Sequence, residues 1–292
     1  MKIEDRLKRK RVYSDIVELT PWDFCDDSLL PGPLILQACN MQMKLFSYYY
    51  WNMFNRVEDK RVTYEVPLVN VHIEDKRIDF MDERRLLFEC EANTIFDGTM
   101  LQVETNVYKP AYPFERVASC SWHGAECKHN GEEDWVLGEF ESVPGITPEL
   151  SRLLPEAGRP AVENINTALN RISASGEWQG PAETRHKIMH PYCEYGFMGG
   201  FMNYTAPMLS AGRDAMLGYL ELNSPGGYKG RLAGKLDYRG WNMWLSIKKA
   251  LFFNDEVIVN SYYLSSNDRE YIKHEIYSAR PRILRNIILE QY

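Results

Sequence analysis

A chain of 292 residues with 45% hydrophobic and 26% charged residues has the composition of a globular protein, long enough for one large domain or two smaller ones. Its net charge of −7 argues against bulk nucleic-acid binding. No run approaches the roughly 18 apolar residues of a membrane span, and the basic start, Met1–Ser14, lacks the apolar core of a secretory leader. Six scattered cysteines read as buried thiols of a reducing, cytoplasmic compartment, not as a disulfide framework.

Lys8-Arg9-Lys10-Arg11 reads as a solvated arm, or as a docking patch for an acidic partner. Val12 to Trp22 reads as a strand. After the turn-like Asp23–Ser28 comes Leu30-Pro31-Gly32-Pro33, and proline suits the first turn of a helix. Leu34, Ala38, Met41, Leu45 and Tyr48 recur at spacings of three and four, which predicts a helix within Leu34–Phe54. Its other face is also largely apolar (Ile35, Met43, Phe46, Tyr50), so the helix should be wrapped on most sides.

The period then shifts towards two. Val62–His72, Leu86–Ile95 and Thr99–Tyr108 read as strands, the last two joined by Phe96-Asp97-Gly98, a hairpin signal. From Glu126 to Thr184 prolines and glycines punctuate a connector, with short helices expected at Leu150–Leu154 and Ala161–Ile172. The first pattern then returns. Ile188-Met189-His190 ends a strand, and Met198-Gly199-Gly200 precedes an apolar helix to about Leu220. Leu232–Tyr238, Met243–Phe253, Val257–Leu264 and Glu270–Ser278 read as strands, with Asn267-Asp268 where the first half has Asp97-Gly98. This internal repeat gives a first unit over 1–125, a connector over 126–180 and a second unit over 181–292.

The residues Asp23-Phe-Cys-Asp-Asp-Ser-Leu-Leu-Pro-Gly-Pro-Leu-Ile-Leu-Gln37-Ala resemble the signature of β-hydroxyacyl-ACP dehydratases, including the dehydratase domains of polyunsaturated fatty acid synthases. That signature runs His-Phe-Pro-x-Asp-Pro-x-x-Pro-Gly-x-Leu-x-x-Asp/Glu-Ala. Phe24, Asp27, Pro31, Gly32, Leu34 and Ala38 match it, while Asp23 stands at the histidine position and Gln37 at the acid position. In the second half His190 falls on the histidine position, Gly199 on the glycine and Tyr204 on the acid. His190 lies 167 residues after Asp23, as Gly199 does after Gly32.

The resemblance implies an α+β double hotdog: two fused units, each an antiparallel sheet wrapped round a central helix, with the sheets side by side. It implies an acyl-thioester enzyme of fatty acid or polyketide biosynthesis, a dehydratase-like lyase or isomerase, with substrate on acyl carrier protein or CoA. Carried over by register, one site would hold His190, Gly199 and Gln37, and the other Asp23, Gly32 and Tyr204. Histidine suits proton abstraction near neutral pH, and a helix N-terminus suits an oxyanion. Gln37 cannot supply a proton as a carboxylic acid does. Isomerisation, cyclisation or thioester hydrolysis therefore stand beside dehydration, with a hotdog thioesterase or an inactive acyl-binding scaffold as alternatives. Asp23, Asp26 and Asp27 read as helix-capping residues, or as base or nucleophile of a hydrolase.

Cys120-x-x-His123-x-x-x-Cys127-x-His129 gathers four potential zinc ligands, but so short a loop strains tetrahedral closure, and it reads as a surface connector. No cofactor or metal is expected, and pairing of two chains is left open. There is no phosphate loop, dinucleotide-type glycine turn or Gly-x-Ser-x-Gly elbow.

Overall fold

The structure, a computed structural model, describes residues 12–25, 28–45, 62–78, 83–95, 100–111, 113–128, 141–142, 163, 165–189, 193–194, 198–199, 201–233, 237–248, 251 and 254–292. Lys8–Arg11, the Asp97-Gly98 turn, the 150–154 helix and His190 lie outside these residues. The chain divides into two compact units, Met1–Val162 with Asp237–Trp241, and Glu163–Leu236 with Asn242–Tyr292.

In the first unit β1 (Val12–Glu18) gives way to a 3-10 turn, Pro21–Asp23, and a small hairpin of β2 (Phe24–Cys25) and β3 (Ser28–Leu29). The strand expected to reach Trp22 ends at Glu18 instead, three residues before Pro21 opens the turn. Helix α1 (Pro31–Leu45) follows, then β4 (Val62–Ile73), β5 (Arg85–Ile95), β6 (Met100–Tyr108) and β7 (Arg116–Lys128), which β8 (Glu141–Ser142) joins. The sheet order is β1-β5-β6-β7-β4, with every pair antiparallel. The β4 register shifts between Glu65 and Leu68, around Pro67, which has no N–H to give to the ladder.

The predicted stripe of α1 is its buried face. Leu34, Ala38, Met41 and Leu45 are all buried, Tyr48 lies outside the described residues, and Ile35, expected on the other face, is buried with the stripe; the helix packs mainly on β5 and β1. Burying a side chain such as Leu, Ile or Met is worth about 1.5–3 kcal/mol each. The stripe therefore holds α1 to the sheet far more firmly than helix propensity does. Leu36, on the other side, is 48% exposed, so the wrapping expected all round α1 is incomplete among the described residues.

In the second unit α2 (Ile165–Ser173) precedes β9 (Gln179–Lys187), a short pair of β10 (Cys193–Glu194) and β11 (Met198–Gly199), and α3 (Phe201–Asn223). Then come β12 (Asn242–Ile247), β13 (Glu256–Ser266), β14 (Arg269–Ser278) and β15 (Ile283–Gln291). Their order is β9-β13-β14-β15-β12, again antiparallel. Each unit is thus strand, helix, then four strands, with the sheet order first, third, fourth, fifth, second. The β13–β14 hairpin turns on Asn267 and Asp268 at φ 54 and 59, the left-handed values that a two-residue turn requires. Met208, Leu209, Met216 and Leu220 form the buried stripe of α3, which packs mainly on β9 and β13.

Three expectations need correction. The described residues of Leu232–Tyr238 form no strand: Arg231–Ala233 is a 3-10 turn, and Tyr238 packs edge-on to Trp241. The final strand, β15, begins where the expected strands stopped. The segment holding Cys120 and His123 is not a surface connector but the long strand β7, with both residues buried.

Candidate active site

The chain entering α1 is tied down locally. The Asp23 carboxylate accepts hydrogen bonds from the Thr20 backbone N–H (2.6 Å) and hydroxyl (2.8 Å), while the Leu30 N–H donates to the Asp23 carbonyl at 2.9 Å. Asp23 therefore shapes the turn before the helix, as a capping residue does. Pro31 and Pro33 have no N–H, and the Leu34 N–H donates to the Leu30 carbonyl at 3.2 Å. Within the first three helical positions the one peptide donor is that of Gly32, at the positive end of the helix dipole.

Gln37 stands further along, on the wall of an open depression of about 410 Å³ between α1 and β1. Asn40 and Lys44 continue the same side of α1, Asp15 comes from β1, and Ile16, Val17 and Met41 supply the apolar surface. These positions follow from two periods: residues 37, 40 and 44 share a helical stripe, and β1 is an edge strand among the described residues. Lys44 Nζ donates to Asp15 Oδ2 at 3.0 Å and stands 5.7 Å from the centre of the Tyr13 ring. The hydrogen bond to Asp15 raises the Lys44 pKa against the opposing effect of burial, so the ammonium stays charged. The other Asp15 oxygen accepts the Ile16 N–H at 2.9 Å. The depression thus holds a carboxylate, two primary amides and an ammonium beside apolar surface, a set able to orient a polar group at the end of an apolar chain.

Sequence reasoning singled out Gln37 but missed Asp15, Asn40 and Lys44. The helical spacing from Gln37 could have pointed to Asn40 and Lys44, but nothing local links Asp15 to them. In the second unit Gly199 pairs with Cys193 and lies two residues before α3, and Tyr204 lies in the first turns of that helix.

The Cys/His cluster does not converge. Cys120 and His123 are three apart on a strand and face opposite sides of it. Cys120 lies beside Thr105 in the β6–β7 register and accepts the Trp122 indole N–H at 3.2 Å; burial pushes its thiol up to about 12. His123 Nε2 donates to Gln102 Oε1 at 3.1 Å, and burial lowers its pKa.

No family model matches the chain, and no curated protein matches it in sequence. Solved structures do match. An oleoyl thioesterase from Lactobacillus plantarum is 11% identical, with 96% of this chain and 95% of that one covered at a TM-score of 0.63. A 12:0-ACP thioesterase from Umbellularia californica is 8% identical, covering 96% and 93% at 0.62. An acyl-ACP thioesterase from Bacteroides thetaiotaomicron is 9% identical, covering 99% of both chains at 0.60. The fold is the hotdog. The first helix of each half carries positions singled out in the sequence, Gly32 and Gln37 on α1 and Tyr204 on α3.

Proposed function

We propose that this chain is a double hotdog that hydrolyses acyl thioesters carried on acyl carrier protein or CoA. The observation that carries the reading is the near-complete, two-way overlap with three solved acyl thioesterases, over both units. Gln37 agrees with it: hydrolysis needs a positioned water and a stabilised carbonyl oxygen, whereas dehydration also needs a proton donor that an amide cannot replace.

In the proposed reaction a base takes a proton from water as the oxygen attacks the thioester carbonyl carbon. The carbonyl oxygen gains charge, the C–S bond breaks, and the thiolate leaves and is protonated. The Asp15 carboxylate is the base that the depression offers, with the Gln37 and Asn40 amides to hold the water or the carbonyl oxygen. His190, at the histidine position of the signature, is the rival base. The N-terminus of α1 at Gly32, and that of α3 just after Gly199, are the backbone donors proposed for an oxyanion. Asp23 and Tyr204 would be supporting groups near those turns.

The test is to incubate the protein with saturated, enoyl and 3-hydroxyacyl thioesters of CoA and carrier protein and to read the products by mass spectrometry. Free acid and free thiol are expected. Loss of water with the thioester intact would move the assignment to the dehydratase reading. No change on any substrate would favour an acyl-binding role.

A further inference from the structure

The second unit contains a set of buried polar groups that the proposed reaction does not use. Arg213 on α3, Ser261 on β13, His274 on β14 and Glu290 on β15 are at most 8% exposed. Arg213 Nε donates to Glu290 Oε2 at 3.1 Å. The same oxygen lies 3.0 Å from His274 Nε2, and His274 Nδ1 lies 2.9 Å from Ser261 Oγ. A carboxylate only accepts, so His274 Nε2 donates to Glu290, while Nδ1 and the Ser261 hydroxyl share the second hydrogen bond. Burial pushes the Glu290 carboxyl up, but the Arg213 charge and the His274 hydrogen bond outweigh it and hold the pKa below the usual carboxylate range.

The serine–histidine–glutamate order invites a nucleophilic reading, which the packing opposes. Ser261, His274 and Glu290 have no exposed surface. Gly212 of α3 seats its bare backbone on the first two: a Cβ there would stand 2.7 Å from Ser261 Oγ and 2.8 Å from His274 Nδ1. No room remains for a carbonyl carbon at the hydroxyl, and the Glu290 charge is already committed to Arg213.

We propose instead that Arg213, Glu290, His274 and Ser261 are positioning residues that fix α3 along its axis on the strands of the second unit, and with it the N-terminal turn that follows Gly199. The catalytic consequence alone rests on the hydrolase reading. A buried ion pair adds little net stability over apolar packing, but it is directional. Gly212 makes the seat specific, because a slip of one residue would drive the Ala211 or Arg213 side chain onto the Ser261–His274 pair. Among the described residues the first unit shows no such lock at its own buried cross-strand pair on the third and fourth strands: Thr105 donates to the Cys90 thiol at 3.3 Å, and α1 is held by Leu34, Ala38, Met41 and Leu45. Helix α3 begins at Phe201, 12 residues before Arg213. A lock at mid-helix therefore sets the height of the first turn about 18 Å away.

The test compares the wild type with the double variant Arg213→Met/Glu290→Gln, which removes both charges together and so leaves neither buried alone. Arg213→Lys, which keeps a cation toward Glu290, is the conservative control. Two quantities are read: amide hydrogen exchange across 201–223 and β13–β15, and kcat and KM on an acyl-CoA. In the double variant, exchange in the first turns of α3 should rise at least tenfold while β13–β15 keep wild-type protection. Its kcat should fall about tenfold with KM within twofold, and Arg213→Lys should recover most of both. Wild-type exchange in α3, or an equal rise over helix and strands, would overturn the proposal. If the wild type hydrolyses no thioester, the exchange result alone decides the positioning role, and the hydrolase reading fails separately.

Discussion

The Lys44 ammonium sits 3.0 Å from the Asp15 carboxylate, so the acidic group of the depression is anchored to the helix that presents Gln37. Both partners are roughly half exposed, and such pairs contribute about 0–1 kcal/mol to stability. The Lys44 pKa is raised, so this small contribution is fully present below its ordinary value of 10.5 and is lost only as pH rises through the raised one. At neutral pH the pair serves to hold the carboxylate in place more than to stabilise the fold.

Asp15→Asn should therefore separate activity from stability. If Asp15 is the base, kcat should drop by about 10²–10⁴, the range for a lost general base, with little change in melting temperature. His190→Ala is the matching change for the rival base. The variant that loses activity while keeping the wild-type circular dichroism spectrum identifies the group. Full activity in a folded Asp15→Asn would remove the depression from the reaction.

The acid limb of stability should report Glu290. Its folded pKa is lowered, so it adds stability above the unfolded carboxylate value, and that contribution is lost as pH falls through the lowered one. The wild type should lose melting temperature steeply below about pH 4.5. Glu290→Gln alone should flatten this limb and cost about 3–5 kcal/mol at neutral pH, because it strands the Arg213 charge in the interior. Melting curves from pH 3 to 8 would show both effects. An unchanged acid limb in the variant would mean that Glu290 does not set it.

Much of the framework was legible because it rests on local signals. Pro31 and Pro33 marked a helix start, the stripe Leu34–Ala38–Met41–Leu45 marked the buried face, and Asn267-Asp268 marked a turn. Strand β9, read only at its end, and β7, missed altogether, show weaker signals. Strand β9 is a largely exposed edge strand with Gln, Glu, Thr, Arg, His and Lys in nine residues, so it shows no apolar alternation. In β7 one side carries Ser119, Ser121 and His123, of which Ser121 and His123 are buried, and buried polar residues look like loop residues in a sequence. The Arg213–Glu290–His274–Ser261 network was invisible for another reason: its members lie on four elements, with no spacing that couples them. The available hint was a polar residue inside an apolar register, His274 between Ile272 and Ile276 and Glu290 after Ile288.

The buried thiols give a chemical check on the strands of the first unit. Burial pushes Cys90 and Cys120 up to about 12, so almost no thiolate is present at pH 8. Cys39, on α1, is only partly buried. Brief iodoacetamide treatment of native protein followed by peptide mapping should leave Cys90 and Cys120 unmodified until denaturant is added. Rapid native labelling of either would show that β5 or β7 is open in solution.

Gln37→Glu is the sharpest test of the chemistry. The substitution keeps the shape of the side chain and returns a carboxyl group to the position where the dehydratase signature carries one. In a dehydratase that had lost only its acid, the variant should create or increase water loss from a 3-hydroxyacyl thioester. The depression argues for the opposite outcome, because it already holds the Asp15 carboxylate, and Lys44 is committed to that group. A second carboxylate there would repel the first, raise the pKa of one of the pair, and replace an amide that can donate a hydrogen bond with a group that only accepts while ionised. Hydrolysis of saturated acyl-CoA should therefore fall at least tenfold at pH 7. It should recover in part as pH is lowered enough to protonate the new carboxyl, since a protonated Glu can donate as Gln37 does. Gln37→Met, with no donor at any pH, should show the loss without the recovery. Water loss from the 3-hydroxyacyl substrate by Gln37→Glu, with hydrolysis unaffected, would instead place Gln37 in a dehydratase site and detach it from the hydrolase reaction.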